Sequence, residues 1–241
     1  MKLYKELAKW WPLMSPHTEY EEEAHLFLKI IRQYHPAIKD AVEFGSGGGS
    51  NAFYLKKYFS MTLTDLSPDM LEVSRELNPD CLHMQGDMRT IAAGTEFDLV
   101  FIHDAISYFT DKAELLAVMK NAKKHLKQDG LLFIMPDQYM ETFEPRTDHG
   151  GVDKGGRGMR YLEWSYDSDP EDGVTETEYA YLMRDSNGQI THEHDSAKAG
   201  LFSMPEWERL LADAGFQAHF ERVEFSEEPG SYFAIAATQL K

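Results

Sequence analysis

Glu43-Phe44-Gly45-Ser46-Gly47-Gly48-Gly49 decides how this chain of 241 residues is read. The stretch Ile38 to Phe44 reads as a buried strand, and a helical pattern starts near Asn51. The loop between them is almost all glycine, so the backbone turns sharply and approaches a ligand without a Cβ in the way. Open α/β sheets bind ligands at this place, outside the carboxyl ends of their strands. A glycine-rich loop alone also fits dinucleotide enzymes and NTPases. Three details narrow the choice. No Gly-Lys-Ser/Thr follows, which argues against a P-loop. Glu43 immediately precedes the loop, where a carboxylate suits an ammonium-bearing ligand and repels a pyrophosphate. Asp65 follows the second strand, at a spacing that suits a carboxylate accepting from two ribose hydroxyls.

Outward from the loop, short apolar runs alternate with helical patterns, the sign of βαβ units and a parallel sheet. Met61 to Thr64, Leu82 to Met84, Phe97 to Ile102 and Leu131 to Met135 read as the next four strands. Ser67 is placed to cap a helix with Pro68 at its first position, and Lys112 to Leu126 reads as another helix. Upstream, Glu19 to Tyr34 carries Ala24, Phe27, Leu28, Ile31 and Tyr34 on one helical stripe. After Pro136 the rhythm changes. Arg160 to Tyr166, Thr175 to Met183 and Gln189 to His194 read as strands without helices between them, and Asn187-Gly188 is a hairpin signal. This is read as an antiparallel insertion on the main sheet. Ser203 and Glu206 then form a capping box for a helix ending near Gly215, and strands near Phe216 to Val223 and Tyr232 to Ala237 close the sheet. The expected fold is α/β: a doubly wound, seven-stranded, mostly parallel Rossmann-like sheet with an N-terminal helical cap and an antiparallel β insertion. Residues 1–136 and 200–241 form the main domain, with 1–36 as a helical lid, and 137–199 form the insertion.

The formal charge is −17, which repels DNA and RNA phosphates at long range, so no nucleic-acid partner is expected. Hydrophobic residues make up 42%, enough to bury a core. No apolar run nears the roughly 20 residues of a membrane helix, and none resembles a signal peptide, so no membrane partner is expected. Cys81 is the only cysteine, which fits a reducing, cytoplasmic setting. A homo-oligomer is left open.

Four segments together carry a resemblance: EFGSGGG at 43–49, TDLSPDML at 64–71, GDMR at 86–89 and FDLVFIHDAISYF at 97–109. In that order the chain resembles the class I methyltransferases that use S-adenosylmethionine and release S-adenosylhomocysteine. The resemblance implies that Glu43, Gly45, Ser46, Gly47 and Gly49 hold the methionine end of the cofactor and that Asp65 binds the ribose. Leu66 would lie beside the adenine, Gly86 and Asp87 at its amino group, Met70 and Met88 against the ring, and His103 near the sulfonium. It also implies that the last strand runs antiparallel to the others. More narrowly, the chain is similar to the N,N-dimethyltransferases of nucleotide-linked amino sugars, which share a lid ending in Glu19-Tyr20-Glu21-Glu22-Glu23-Ala24 and an insertion followed by Leu201-Phe202. The expected function is methyl transfer to a nitrogen, less readily an oxygen, of a small polar metabolite such as an amino sugar.

Methyl transfer needs the nucleophile held near the methyl and water kept out, so a compact catalytic motif is not required. Tyr108 is the catalytic candidate, since the amino-sugar enzymes place a Tyr or His there. Its plainer reading is an aromatic packed under the lid. Arg157 and Arg160 are candidates for substrate phosphates, or a solvated hairpin tip. Trp10, Trp11 and Tyr20 are candidates for an aromatic lid, or anchors of the N-terminal helix. His192 and His194 share one strand face and either line the acceptor pocket or are ordinary sheet residues. Two His without a third ligand give no expectation of a metal. A dinucleotide-dependent oxidoreductase is disfavoured because Ser50 stands where Gly-x-Gly-x-x-Gly needs its last glycine. A non-catalytic module binding S-adenosylmethionine would look the same in sequence.

Overall fold

The computed structural model describes residues 1–226, 230 and 232–240. The lid begins with a 3-10 turn, Ala8–Trp10, and a single α-turn, α1 (Trp11–Met14). A second 3-10 turn, His17–Tyr20, leads into α2 (Glu21–Tyr34), so the sequence's one helix is two pieces. Then come β1 (Asp40–Phe44), α3 (Ser50–Leu55), β2 (Ser60–Asp65), α4 (Pro68–Leu77), β3 (Leu82–Gln85) and β4 (Phe97–Ile102). A 3-10 turn, Asp104–Tyr108, joins β4 to α5 (Lys112–Lys124) and β5 (Leu126–Ile134). β6 (Arg146–Gly150), β7 (Asp153–Lys154), β8 (Arg157–Tyr166), β9 (Val174–Arg184) and β10 (Ile190–Gly200) follow. α6 (Met204–Asp213), β11 (Phe216–Val223) and β12 (Tyr232–Gln239) end the chain.

The expected main sheet is present. Its seven strands run in the order β11-β12-β5-β4-β1-β2-β3, and β12 is antiparallel to both neighbours while β1 to β5 pair in parallel. Two expectations change. The helix after Tyr108 stops at Lys124, because Leu126 already pairs with Phe97 of β4. The insertion does not sit on the main sheet. It forms its own sheet in the order β10-β9-β8-β6, with β7 paired to β8. β6 and β7 were not legible, since Arg146 to Gly150 and Asp153-Lys154 carry almost no apolar residues.

Local sequence explains the helix starts. Ser67 Oγ accepts from the Met70 N–H and caps α4, with Pro68 at the first position. Asp111 does the same for α5. At α6 the Glu206 carboxylate accepts from the Ser203 N–H at 2.9 Å, the return half of a capping box.

Each face of the main sheet buries its own core. Val100, Ile102, Leu132 and Ile134 pack under α5 and α6, against Val118, Met119, Trp207 and Leu211. Leu99, Phe101, Leu131 and Phe133 pack under α2 and α3. Phe27 of α2 stands 5.9 Å from Phe101 and 5.3 Å from Phe133 between ring centroids. A third cluster joins the lid to the second sheet: Leu3, Trp10 and Leu13 against Met159, Tyr181 and Met183. The lid is thus held to the second sheet by apolar burial.

Phe133→Ala removes a fully buried ring from the contact that seats α2. It should lower the free energy of unfolding by about 3–5 kcal/mol in a urea titration followed by circular dichroism.

Candidate active site

The glycine loop lies between β1 and α3, over the carboxyl end of the parallel sheet. Gly45 has φ +72°, and a Cβ there would meet the Cβ of Ala105 at 2.3 Å. A Cβ on Gly48 would strike the Trp11 indole, 2.6 Å away, so the lid closes directly on the loop. The glycines are therefore required both by backbone conformation and by the closeness of the lid.

Glu43 ends inside this cradle, 3% exposed, with Oε2 buried and without a hydrogen-bond partner. Burial pushes its pKa up to about 8, against the pull of the nearby His103 cation. A buried, unpaired carboxylate oxygen is costly, and it is the group that an ammonium ligand would satisfy. Ser46 Oγ beside it is also buried and unpartnered. Asp65, at the end of β2, accepts from the Gly47 N–H and the Ser67 N–H, each at 2.8 Å. Its pKa is raised, chiefly by burial. Leu66 is two-thirds exposed, as a residue facing a ligand plane would be, and Met70 is fully buried under Gly47. Gly86 N–H donates to the Asp65 carbonyl. Met88 packs against Gly45. Asp87 takes both Arg89 Nε contacts at 3.0 Å, and this guanidinium holds its carboxyl below the usual range. These groups suit S-adenosylmethionine: an unpaired carboxylate for the ammonium, a carboxylate beside the loop for the ribose hydroxyls, and methionines against the loop.

Next to the loop, a cavity of about 240 Å³ opens between the lid, the ends of β4 and β5, and the inner face of the second sheet. Its wall includes Tyr4, Trp11, Tyr108, Tyr179 and the carboxyl groups of Glu163 and Asp137. The Tyr4 and Tyr108 hydroxyls are 2.6 Å apart. Burial drives the phenol pKa of each upward, so both stay protonated at neutral pH. A wider cleft of about 810 Å³ borders the cavity and shares with it Glu19, Asp104, Asp137 and Arg146.

His103, just beyond β4, lines the wider cleft. Its Nε2 lies 3.0 Å from Asp104 Oδ1 and 3.3 Å from Glu23 Oε2. Burial alone would lower its pKa, but Asp104 and Glu23 outweigh burial and hold it at about 10, so the imidazole is a cation. Glu23 also accepts from Asn51 Nδ2 at 2.9 Å, tying α2 to α3.

The remaining candidates fall elsewhere. Trp10 is buried in the lid cluster, with the Arg157 guanidinium 4.0 Å over its ring and Arg157 Nη2 donating to the Lys9 carbonyl. Arg160 is paired with Asp153 at 2.8 Å and donates to the Met159 carbonyl. Both arginines are engaged within the fold and neither lines the cavity. Arg146, on the unforeseen β6, does line it. His192 and His194 share a face, as their spacing requires, but it is the outer face; His194 is bonded to Glu178 at 2.6 Å in the open. The next residue, Asp195, is the inward one, and accepts from the Leu3 N–H. Tyr20 packs behind the cavity with its hydroxyl 2.7 Å from Ser15 Oγ. Sequence reasoning missed Tyr4, Glu23 and Asp137. Of these only Glu23 sat in a segment already singled out.

Residues 41–130 match the family described as "Methyltransferase domain". The chain is 28% identical over 205 residues to a dTDP-3-amino-3,6-dideoxy-alpha-D-glucopyranose N,N-dimethyltransferase of Streptomyces fradiae, a match covering 84% of this chain and 79% of the relative. It is 26% identical to the dTDP-3-amino-3,4,6-trideoxy-alpha-D-glucopyranose N,N-dimethyltransferase of Streptomyces venezuelae, covering 84% and 85%. In fold it is similar to the SAM-bound CalS10, an amino pentose methyltransferase from Micromonospora echinaspora, with a TM-score of 0.77, 24% identity and 91% of each chain covered. The sugar N-methyltransferase KedS8 from Streptoalloteichus sp ATCC 53650 gives a TM-score of 0.81 at 24% identity, over 92% of this chain and 88% of that one.

A carboxyl whose pKa is raised in the folded state binds its proton more tightly there than in the unfolded chain. Glu43 therefore lowers stability progressively as pH rises from its ordinary value of 4.5 to about 8. Glu43→Gln should remove this slope, leaving the ligand-free variant more stable than wild type at pH 8, while weakening S-adenosylhomocysteine at least tenfold. Thermal melts across pH and calorimetric titration read the two effects separately.

Proposed function

We infer, starting from a chain whose residues 41–130 are a methyltransferase domain on a Rossmann-like fold, that it transfers the methyl of S-adenosylmethionine to the amino group of a small, sugar-like molecule. The observation that carries this reading is the orphaned Glu43 oxygen beside a phenol-walled, carboxylate-rich cavity. The relatives act on amino groups of dTDP-linked sugars, by the names they carry. An amine entering this cavity as an ammonium meets the carboxyl groups of Glu19, Asp104, Asp137 and Glu163 on its walls.

In this reading Glu43, Gly45, Ser46, Gly47 and Gly49 take the methionine end, Asp65 the ribose, and Leu66, Met70, Gly86, Asp87 and Met88 the adenine. Asp87 does so while held by Arg89. The cofactor supplies a methyl already activated on a sulfonium. What remains for the protein is orientation and exclusion of water. Tyr108 and Tyr4 act as a hydrogen-bonded pair that orients the acceptor nitrogen; being protonated phenols, they are not bases. Trp11 closes the roof over Gly48. His103 holds the lid helix against the sheet end through Glu23. The insertion, residues 137–199, supplies the far wall through Arg146, Glu163 and Tyr179. A small-molecule acceptor and a cytoplasmic setting go together in this account; no helix among the described residues is long and apolar enough to cross a membrane.

Calorimetric titration with S-adenosylhomocysteine should give micromolar binding that Asp65→Ala abolishes. Failure of the wild type to bind would end the methyltransferase reading. With S-adenosylmethionine and a panel of amines led by amino sugars, Tyr108→Phe should cut kcat/KM roughly tenfold, the worth of one hydrogen bond to a reacting group.

A further inference from the structure

Two carboxyl groups stand on the wall shared by the acceptor cavity and the wider cleft: Asp104 and Asp137. Asp104 opens the 3-10 turn after β4. Asp137 lies just past β5, where its backbone N–H donates to Ser107 Oγ at 3.0 Å. Burial pushes the Asp104 carboxyl well above the usual carboxylate range, and the charge of Asp137 adds to the shift. A carboxyl tuned upward in this way holds a proton more readily than a free one, as a proton acceptor must. His103 Nε2, 3.0 Å from Asp104 Oδ1, is the cation that favours the ionised form of this carboxyl. On the same wall the Gln138 amide oxygen is buried without a partner, an acceptor atom facing no donor.

We propose that Asp104, backed by Asp137, is the catalytic proton acceptor for the incoming ammonium. The proposal rests on the reading above that the acceptor is an amine in this cavity. An alkylammonium is almost fully protonated at neutral pH and has no lone pair to donate. The N–H bond breaks and its proton goes to the Asp104 carboxylate. The freed lone pair forms the N–C bond to the methyl as the C–S bond breaks, its electron pair remaining on sulfur. The products are the methylated ammonium and a neutral thioether. The proton leaves from the aspartates into the wider cleft, which both also line. A second methylation of the same nitrogen uses the same route. Tyr108 cannot take this part, since its phenol stays protonated.

Sinefungin tests this without a known substrate. It is an S-adenosylhomocysteine analogue with an amino group on the carbon that replaces sulfur, so its ammonium takes the place of the transferred methyl, facing the side from which the acceptor nitrogen arrives. The charged groups facing the pair are Glu19 and Glu23 from the lid, His103 and Arg146, and Glu163 from β8. As pH rises Asp104 gains negative charge, so the preference for sinefungin over S-adenosylhomocysteine should grow until the ligand's own ammonium titrates. Asp104→Asn should weaken sinefungin roughly tenfold, leave S-adenosylhomocysteine unchanged and flatten the pH trend. Asp137→Asn should do so in part, and Asp104→Glu should restore it. A merely structural role would move both ligands together. The same sinefungin preference and pH trend in Asp104→Asn as in wild type would overturn the proposal. Failure of the wild type to bind S-adenosylhomocysteine would instead count against the cofactor reading.

Discussion

The contact of His103 with Glu23 and Asp104 sets the geometry on which the site depends. A buried imidazolium is expensive unless its partners are charged and close. Here one partner comes from α2 and the other from the turn that follows β4. The charge therefore fixes α2 over the sheet end, and Asn51 extends the tie from Glu23 to α3 at the glycine loop. Removing Glu23 or His103 leaves the other with unbalanced charge between α2 and the sheet end, so these two hold or fail together.

A second set of contacts straps the N-terminus across the molecule. The Leu3 N–H donates to the buried Asp195, and Lys2 pairs with Glu193, both on β10. Trp10 takes the Arg157 guanidinium from β8, while its neighbour Trp11 lies on Gly48 of the main domain. Adjacent tryptophans thus face two different sheets. The cavity exists because this strap spans the space between them, and neither sheet alone encloses it.

The sequence made the main sheet legible because its signals are local. Phe97–Ile102 and Phe216–Val223 stand where alternation and flanking turn residues put them, and Ser67 and Ser203 start helices by capping chemistry that needs only neighbours. What it obscured depends on pairing across long separations. β6 is polar and is recruited by β8, so Arg146 at the cavity could not be told from a loop cation. The period of β10 puts His192 and His194 on one face, but which face turns inward is decided by Leu3, far away in sequence. Arg157 and Arg160 looked free for phosphates because their partners, Lys9 and Asp153, were not identifiable from spacing. Tyr4 was missed for the same reason: its partner Tyr108 is 104 residues away.

Ser67 caps α4, and its hydroxyl also donates to the Tyr4 carbonyl. Its own N–H donates to Asp65, and the Tyr4 hydroxyl meets Tyr108. An unbroken line of polar contacts and one stretch of backbone therefore runs from Asp65 to Tyr108. In thermodynamic terms, the two ends cannot be ordered independently. A ligand that stiffens the Asp65 end lowers the entropy cost of ordering the phenol end, and the coupling acts equally in both directions.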